Sequence, residues 1–144
     1  MVALVTRGVD GAPIAIHRTF LKPDGSGKAP VPKQKLMLGP CQGGVVRLAE
    51  AAEWIGVGEG IESCLSCMYA SRKPAWAALS ASGLKALDLP KSIREVMLLA
   101  DGDDVGEAAA IDAGRRWRAE GRKVSIARPP SGADFNDVLL EGSK

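Results

Sequence analysis

Two short stretches place carboxylates and glycines where an apolar run ends. Residues 57–63 read Val-Gly-Glu-Gly-Ile-Glu-Ser, and residues 98–106 read Leu-Leu-Ala-Asp-Gly-Asp-Asp-Val-Gly. Acids at the carboxyl ends of parallel strands lie where open α/β sheets bind ligands, and several together bind a hard cation such as Mg²⁺ or Mn²⁺. Mg²⁺ takes one or two carboxylates, keeps several waters and completes its shell with substrate phosphates. Asp101 and Asp103 suit that work. If Asp101 ends a strand and Gly102 lets the chain turn tightly, Asp103 returns to the same side. Gly106, at the start of the next helix, lets backbone or a phosphate approach closely. Asp104 reads either as a third ligand or as an acid favoured by the positive end of the helix dipole. Glu59, between Gly58 and Gly60, sits at a strand-to-helix corner where a ligand can reach it. If its strand neighbours the Asp-x-Asp strand, a spacing of about 5 Å brings Glu59 within reach of the metals.

A third group is Pro-Ser-Gly-Ala-Asp-Phe-Asn-Asp, residues 130–137. Asp134 reads equally well as a ligand, directly or through water, and as a helix cap, because an acid follows three residues later before Val-Leu-Leu. The basic residues are unevenly distributed. Up to Arg47, seven of them stand against two acids, a charge of +5 in a chain of net +2, which leaves −3 for the rest. A basic segment beside an acidic metal pocket suits a polyanion held by one and processed by the other.

These groups need elements to carry them. Residues 1–6 and 13–20 alternate as strands around a turn, and 22–33 form a loop rich in Lys, Pro and Gly. A short strand at 34–38 and a Gly-Pro-Cys-Gln-Gly-Gly turn lead to Val45–Leu48. From residue 53 strands alternate with helices, the pattern of a parallel sheet. Strands at 54–57, 75–79, 96–100 and 123–127 are separated by helices at 61–72, near 83–87 and at 105–120, with a last helix from about 135. The helix at 61–72 is expected to bury Ile61, Leu65, Met68 and Tyr69; the helix at 105–120, Val105, Ala109, Ala113 and Trp117. Cys41, Cys64 and Cys67 are odd in number and lack paired clusters, so they read as buried free thiols. A chain of 144 residues fits one domain of ordinary size. No apolar run approaches the roughly 18–20 residues of a membrane span, and the first residues lack the layout of a signal peptide. A cytoplasmic protein without membrane contact is expected.

The Glu-Gly after one strand, the Asp-x-Asp after another and the Gly132, Asp134, Asp137 run after a third resemble the Toprim family, the metal-binding fold of bacterial-type primases, topoisomerases and some nucleases. The resemblance covers roughly residues 53–140 and is specific because the motifs occur in order. Gly43-Gly44-Val45-Val46-Arg47-Leu48, with the Lys-bearing loop before it, resembles what precedes Toprim in phage- and plasmid-associated primases and primase-helicases. The resemblance implies an α/β, Rossmann-like Toprim fold with about four parallel strands and flanking helices at residues 53–144, preceded by a small antiparallel, β-rich basic lobe at 1–52. It implies a primase-type nucleotidyl transfer that makes RNA primers on single-stranded DNA from nucleoside triphosphates with Mg²⁺ or Mn²⁺. Asp101, Asp103 and Asp134 would hold metal, and Glu59 would hold metal or move a proton. Lys28, Lys35 and Arg47 would face template or nucleotide, with Gly60 and Gly106 beside them. A replicative helicase or a zinc-binding primase module would be a partner, and the sequence carries neither.

Two alternatives use the same acids, a Toprim nuclease and a non-catalytic module that grips nucleic acid. Residues 98–105 also resemble the opening motif of haloacid dehalogenase phosphatases, but there the motif ends the first strand, and Glu59 would go unexplained. Tyr69 inside a helix is poorly placed as a topoisomerase nucleophile.

Overall fold

Alternation of large apolar and small or polar residues in the front third favours antiparallel strands with one face covered. A computed structural model describes residues 1–100, 102–130, 133 and 135–142. In it β1 (Val2–Arg7) and β2 (Pro13–Thr19) form a hairpin with an irregular register between Val5 and Thr6. The outer strand β3 (Lys35–Leu38) pairs antiparallel with β2, and β4 (Gly44–Arg47) with β1. Then follow β5 (Trp54–Gly58), α1 (Ile61–Ser71), β6 (Ala75–Ala77), α2 (Ala81–Ala86), β7 (Glu95–Leu99), α3 (Asp104–Ala119), β8 (Lys123–Ala127) and α4 (Phe135–Gly142). Strands β6, β5, β7 and β8 are parallel, as expected. The front strands continue the same sheet, because β4 pairs antiparallel with β6 and gives eight strands in the order β3-β2-β1-β4-β6-β5-β7-β8.

Both faces of the parallel part are covered, which explains why its strands read as almost continuous apolar runs. Ile55, Val57, Val96 and Leu98 point to one face with Leu84 of α2 and Ala109, Ala113 and Trp117 of α3. Ala75, Ala77 and Leu99 point to the other, with Ile61 and Cys64 of α1 and Phe135 of α4 beside them. In α3 the expected row holds except at Val105, which is 68% exposed because the first turn projects past the end of the sheet. The apolar row expected of α1 is corrected more deeply. Leu65 and Tyr69 are exposed, whereas Ile61, Ser63, Cys64 and Ser66 are buried. Small side chains bring α1 close to the strands, and Tyr69 lies outside against the Arg72 guanidinium, 5.4 Å from its ring centre. All three cysteines are free thiols, with Cys64 buried and Cys41 and Cys67 half-buried. Among the described residues no helix is long and apolar enough to cross a membrane.

Trp117 anchors α3: it is fully buried, and its indole N–H donates to the Leu87 carbonyl at 3.3 Å. Trp117→Ala is expected to cost about 3–5 kcal/mol in urea unfolding, the range for deleting a buried aromatic. A loss below about 1 kcal/mol would show that the anchor lies elsewhere.

Candidate active site at the carboxyl edge of the sheet

Register decides what meets at this edge. Gly58 pairs with Ala77 on one side and Leu99 on the other, and Leu99 pairs with Ala127. The residues that follow each strand therefore leave the sheet together. Glu59 is one of them, and its carbonyl accepts the Leu79 N–H at 2.9 Å. Gly58 permits close packing: a Cβ there would lie 3.1 Å from both Cys64 Sγ and Leu99 Cβ, so these neighbours would have to give way slightly. Leu79 adopts φ of +69°, a left-handed conformation that costs a non-glycine residue about 1–2 kcal/mol. The bond to Glu59 and the close of β6 hold it there.

Past β7, Asp103 is the N-cap of α3, its Oδ1 accepting the Gly106 N–H at 2.7 Å. The other carboxylate oxygen is not used by the cap. Gly106 thus presents its amide to the acid of the motif. Asp104 is exposed in the first turn of α3, where the helix dipole favours an acid. Glu107, one turn along, is bound by Arg128 just after β8, with Oε1 2.6 Å from Nη2; that guanidinium holds the Glu107 pKa below its ordinary value. The ion pair ties the start of α3 to the exit of β8.

A cavity of about 550 Å³ opens at this edge between Gly60, Ser63, Gly102 and Asp103 and the α4 residues Asn136 and Asp137. Lys28 and Lys35 close it from the front segment. A second cavity of about 360 Å³ lies beside it, lined by His17, Met37, Glu59 and Leu79, and shares Lys35, Gly60 and Glu62 with the first. Lys28 Nζ is 3.3 Å from Glu62 Oε1, and Lys35 Nζ is 3.7 Å from Oε2. Burial works against ionising Glu62, but its own backbone N–H and the two ammonium groups outweigh it and lower the pKa. Each such half-exposed pair contributes no more than about 1 kcal/mol, so a stronger anion can replace the carboxylate.

Of the residues singled out by the sequence, Glu59, Gly60, Asp103, Lys28 and Lys35 line these two adjoining cavities. Asp101, Gly132 and Asp134 lie outside the described residues. Arg47 does not join the lysines. Its Nη2 donates to the carbonyls of Arg7 at 3.2 Å and Gly8 at 2.8 Å, and its guanidinium lies 4.4 Å over Trp76. Sequence reasoning assigned no role to Glu62, His17 or Asn136. Glu62 stood inside the quoted motif. Asn136 likewise stood inside the quoted 130–137 run and is tied by a 3.3 Å bond with Ser66 of α1, whereas His17 gave no signal, because it depends on contacts distant in sequence.

The donor set is oxygen-rich: Glu59, Asp103, Asn136 and Asp137 offer carboxylates and an amide, which suit Mg²⁺ or Mn²⁺. Among the described residues no three His, Cys, Asp or Glu side chains gather into an ion-holding group.

Comparison with known proteins gives these features a context. The Toprim domain matches residues 54–144, and a domain of unknown function, DUF7146, matches residues 1–48. No curated protein matches. Among solved structures, the primase fragment of the bacteriophage T7 primase-helicase protein superposes with a TM-score of 0.68 at 21% identity, covering 98% of this chain and 58% of that one. The Aquifex aeolicus primase, comprising zinc-binding and RNA polymerase domains, gives 0.66 at 19% identity over 97% of this chain and 36% of that one. A DnaG primase catalytic domain bound to single-stranded DNA gives 0.63 at 17% identity, over 95% and 46%. The chain thus has the fold of primase catalytic domains and spans between about a third and three-fifths of their lengths.

Two measurements check this description. Asp103→Ala is expected to lose about 1 kcal/mol in urea unfolding, whereas Asp103→Asn, also a good cap, loses little. Equal losses would show that Asp103 does not act as the cap. His17 is buried, and burial first, then the Lys35 ammonium, lower its pKa from 6.5, with Glu62 opposing. Below about pH 6.5 the unfolded chain takes a proton at this position while the folded one resists, so stability falls as pH falls. Unfolding midpoints of the wild type should therefore drop between pH 7.5 and 5.5 more than those of His17→Phe. Parallel curves would refute the shift.

Proposed function

We propose, because the chain belongs to the Toprim domain family, that it catalyses metal-dependent nucleotidyl transfer of the primase type, joining ribonucleotides on single-stranded DNA. One observation carries the reading: Glu59 and Asp103 leave neighbouring parallel strands at one edge, facing Lys28 and Lys35 across adjoining cavities. A nuclease and a primase both need the acids. The lysines suit a polyphosphate tail, whose charge exceeds that of the Glu62 carboxylate they now hold.

In this reading Lys28 and Lys35 leave Glu62 and hold the phosphates of the incoming nucleotide. Asp103, its orientation fixed by the cap, would hold Mg²⁺ or Mn²⁺, and Glu59 would either join it as a ligand or move a proton. Asp101 and Asp134 belong to the same proposed set. The ion, when bound, steadies negative charge on the attacking and leaving oxygens. The primer's 3′-hydroxyl attacks the α-phosphorus and pyrophosphate leaves, and the hydroxyl proton passes to Glu59 if that residue is the base, or to water if it is a ligand. The antiparallel lobe of residues 1–52, with its excess of basic side chains, would carry the template backbone. A helicase or a zinc-binding primase module is the partner this reading implies, supported by the composition of the T7 and Aquifex aeolicus proteins.

Extension of a labelled ribonucleotide on single-stranded DNA with Mn²⁺ tests the reading. Glu59→Gln should lower synthesis by a factor on the order of 10²–10⁴. If Glu59 is a proton acceptor, Mn²⁺ binding by calorimetry stays near wild type; if it is a ligand, binding falls too. Asp103→Asn keeps the cap and should weaken Mn²⁺ binding. DNA cleavage without synthesis would identify a nuclease, and unchanged synthesis in Glu59→Gln would remove the proposed site.

A further inference from the structure

His17 is the only histidine of the chain, and the reading above gives it no task. It lies on β2 between two partner strands, in register with Ala3 of β1 and Met37 of β3, so the sheet fixes its ring. The residue is 3% exposed, its Nδ1 is buried, and among the described residues that nitrogen meets no hydrogen-bond partner. The ring nevertheless forms part of the wall of the 360 Å³ cavity that holds Glu59. A buried polar group without a partner, on a residue that lines a cavity, is one that a ligand or water can complete.

The chemistry of that cavity differs from that of its neighbour. Met37, Ile61 and Leu79 give it an apolar wall, and Glu62 gives it a carboxylate that accepts hydrogen bonds. Burial and Lys35 both disfavour the charged imidazole, so His17 is a poor phosphate ligand. A neutral imidazole has one donor and one acceptor nitrogen, and a hydroxyl matches either. The cavity joins the larger one through Lys35, Gly60 and Glu62. A nucleotide with its phosphates between Lys28 and Lys35 would have this adjoining cavity beside its sugar.

We propose that His17 binds a sugar hydroxyl of the nucleotide in the cavity beside Glu59, with Glu62 as the second acceptor, and so separates ribonucleotides from their deoxy analogues. His17 is then a positioning residue. The inference rests on the reading that Lys28 and Lys35 hold phosphates. A site built to pair with a hydroxyl rejects the analogue that lacks it, because the buried polar group is left unpaired.

Titration calorimetry of the whole chain with Mg²⁺ tests it, using ATP, 2′-deoxy-ATP, 3′-deoxy-ATP and inorganic triphosphate as probes. The wild type should bind ATP about tenfold or more tightly than at least one deoxy analogue, and in His17→Phe that preference should shrink to about twofold, as the loss of one hydrogen bond requires. Inorganic triphosphate should bind both proteins alike. His17→Asn, which keeps a polar group, should retain part of the preference and reports on the site if the Phe variant does not fold. The inference is overturned if the wild type shows no preference for a hydroxyl, if the preference survives in both variants, or if triphosphate binding falls in parallel with ATP. If triphosphate binds equally well to a Lys28→Ala, Lys35→Ala double variant, or not at all to the wild type, the phosphate reading itself is wrong and this inference falls with it.

Discussion

The common register of the parallel strands is the constraint on which the site depends. Gly58, Leu99 and Ala127 lie on one line across β5, β7 and β8, and the acids follow within a few residues. A slip of one residue in β7 would turn Leu98 and Leu99 to the wrong faces. Leu98 belongs against α3 and Leu99 against Cys64 of α1, and both are fully buried. The core therefore enforces the alignment that brings Asp103 beside the corner of Glu59. Packing and chemistry are coupled through side chains that touch no ligand.

The front strands matter for a related reason. His17 and Lys35 sit on β2 and β3, which reach the parallel sheet only through β1 and β4. Arg47 is the fastening, with two bonds to carbonyls of β1 and the hairpin turn and a face-on contact with Trp76 of β6. A Cβ on Gly11 would come within 3.1 Å of that guanidinium, so the hairpin turn is shaped around it. An arginine that reads in sequence as a nucleic-acid contact is thereby a strut for the strands that carry the polar groups of the cavities. Arginine suits this because its planar fork pairs with two carbonyls and stacks on a ring at once.

Most of the fold was legible because its signals are local. Strand and helix positions follow from apolar runs broken by Gly and acid, and the parallel sheet follows from their alternation. Glu59 and Asp103 were legible for the same reason, since each sits at a strand end that the sequence marks. The inward face of α1 was not, because the largest apolar residues suggest the wrong side. Ser63, Cys64 and Ser66 face inward where the strands leave room only for small groups, and periodicity measures hydrophobicity rather than fit. The surroundings of His17 and Arg47 were not legible, because they come from β1, β3, β6 and α1, tens of residues away.

Asp103 caps α3 and leaves one carboxylate oxygen outside the cap. A carboxylate has two oxygens and about four lone-pair directions, and the cap takes one oxygen at 2.7 Å from the Gly106 N–H. That bond fixes the side-chain torsion, so the second oxygen is held in place before any ligand arrives. Glu59 is held differently, by backbone: its carbonyl is tied to Leu79, whose strained φ persists only because the surrounding chain leaves no alternative. A tied backbone at Glu59 and a capped side chain at Asp103 anchor the two residues at the edge, while the lysines opposite are held by half-exposed ion pairs.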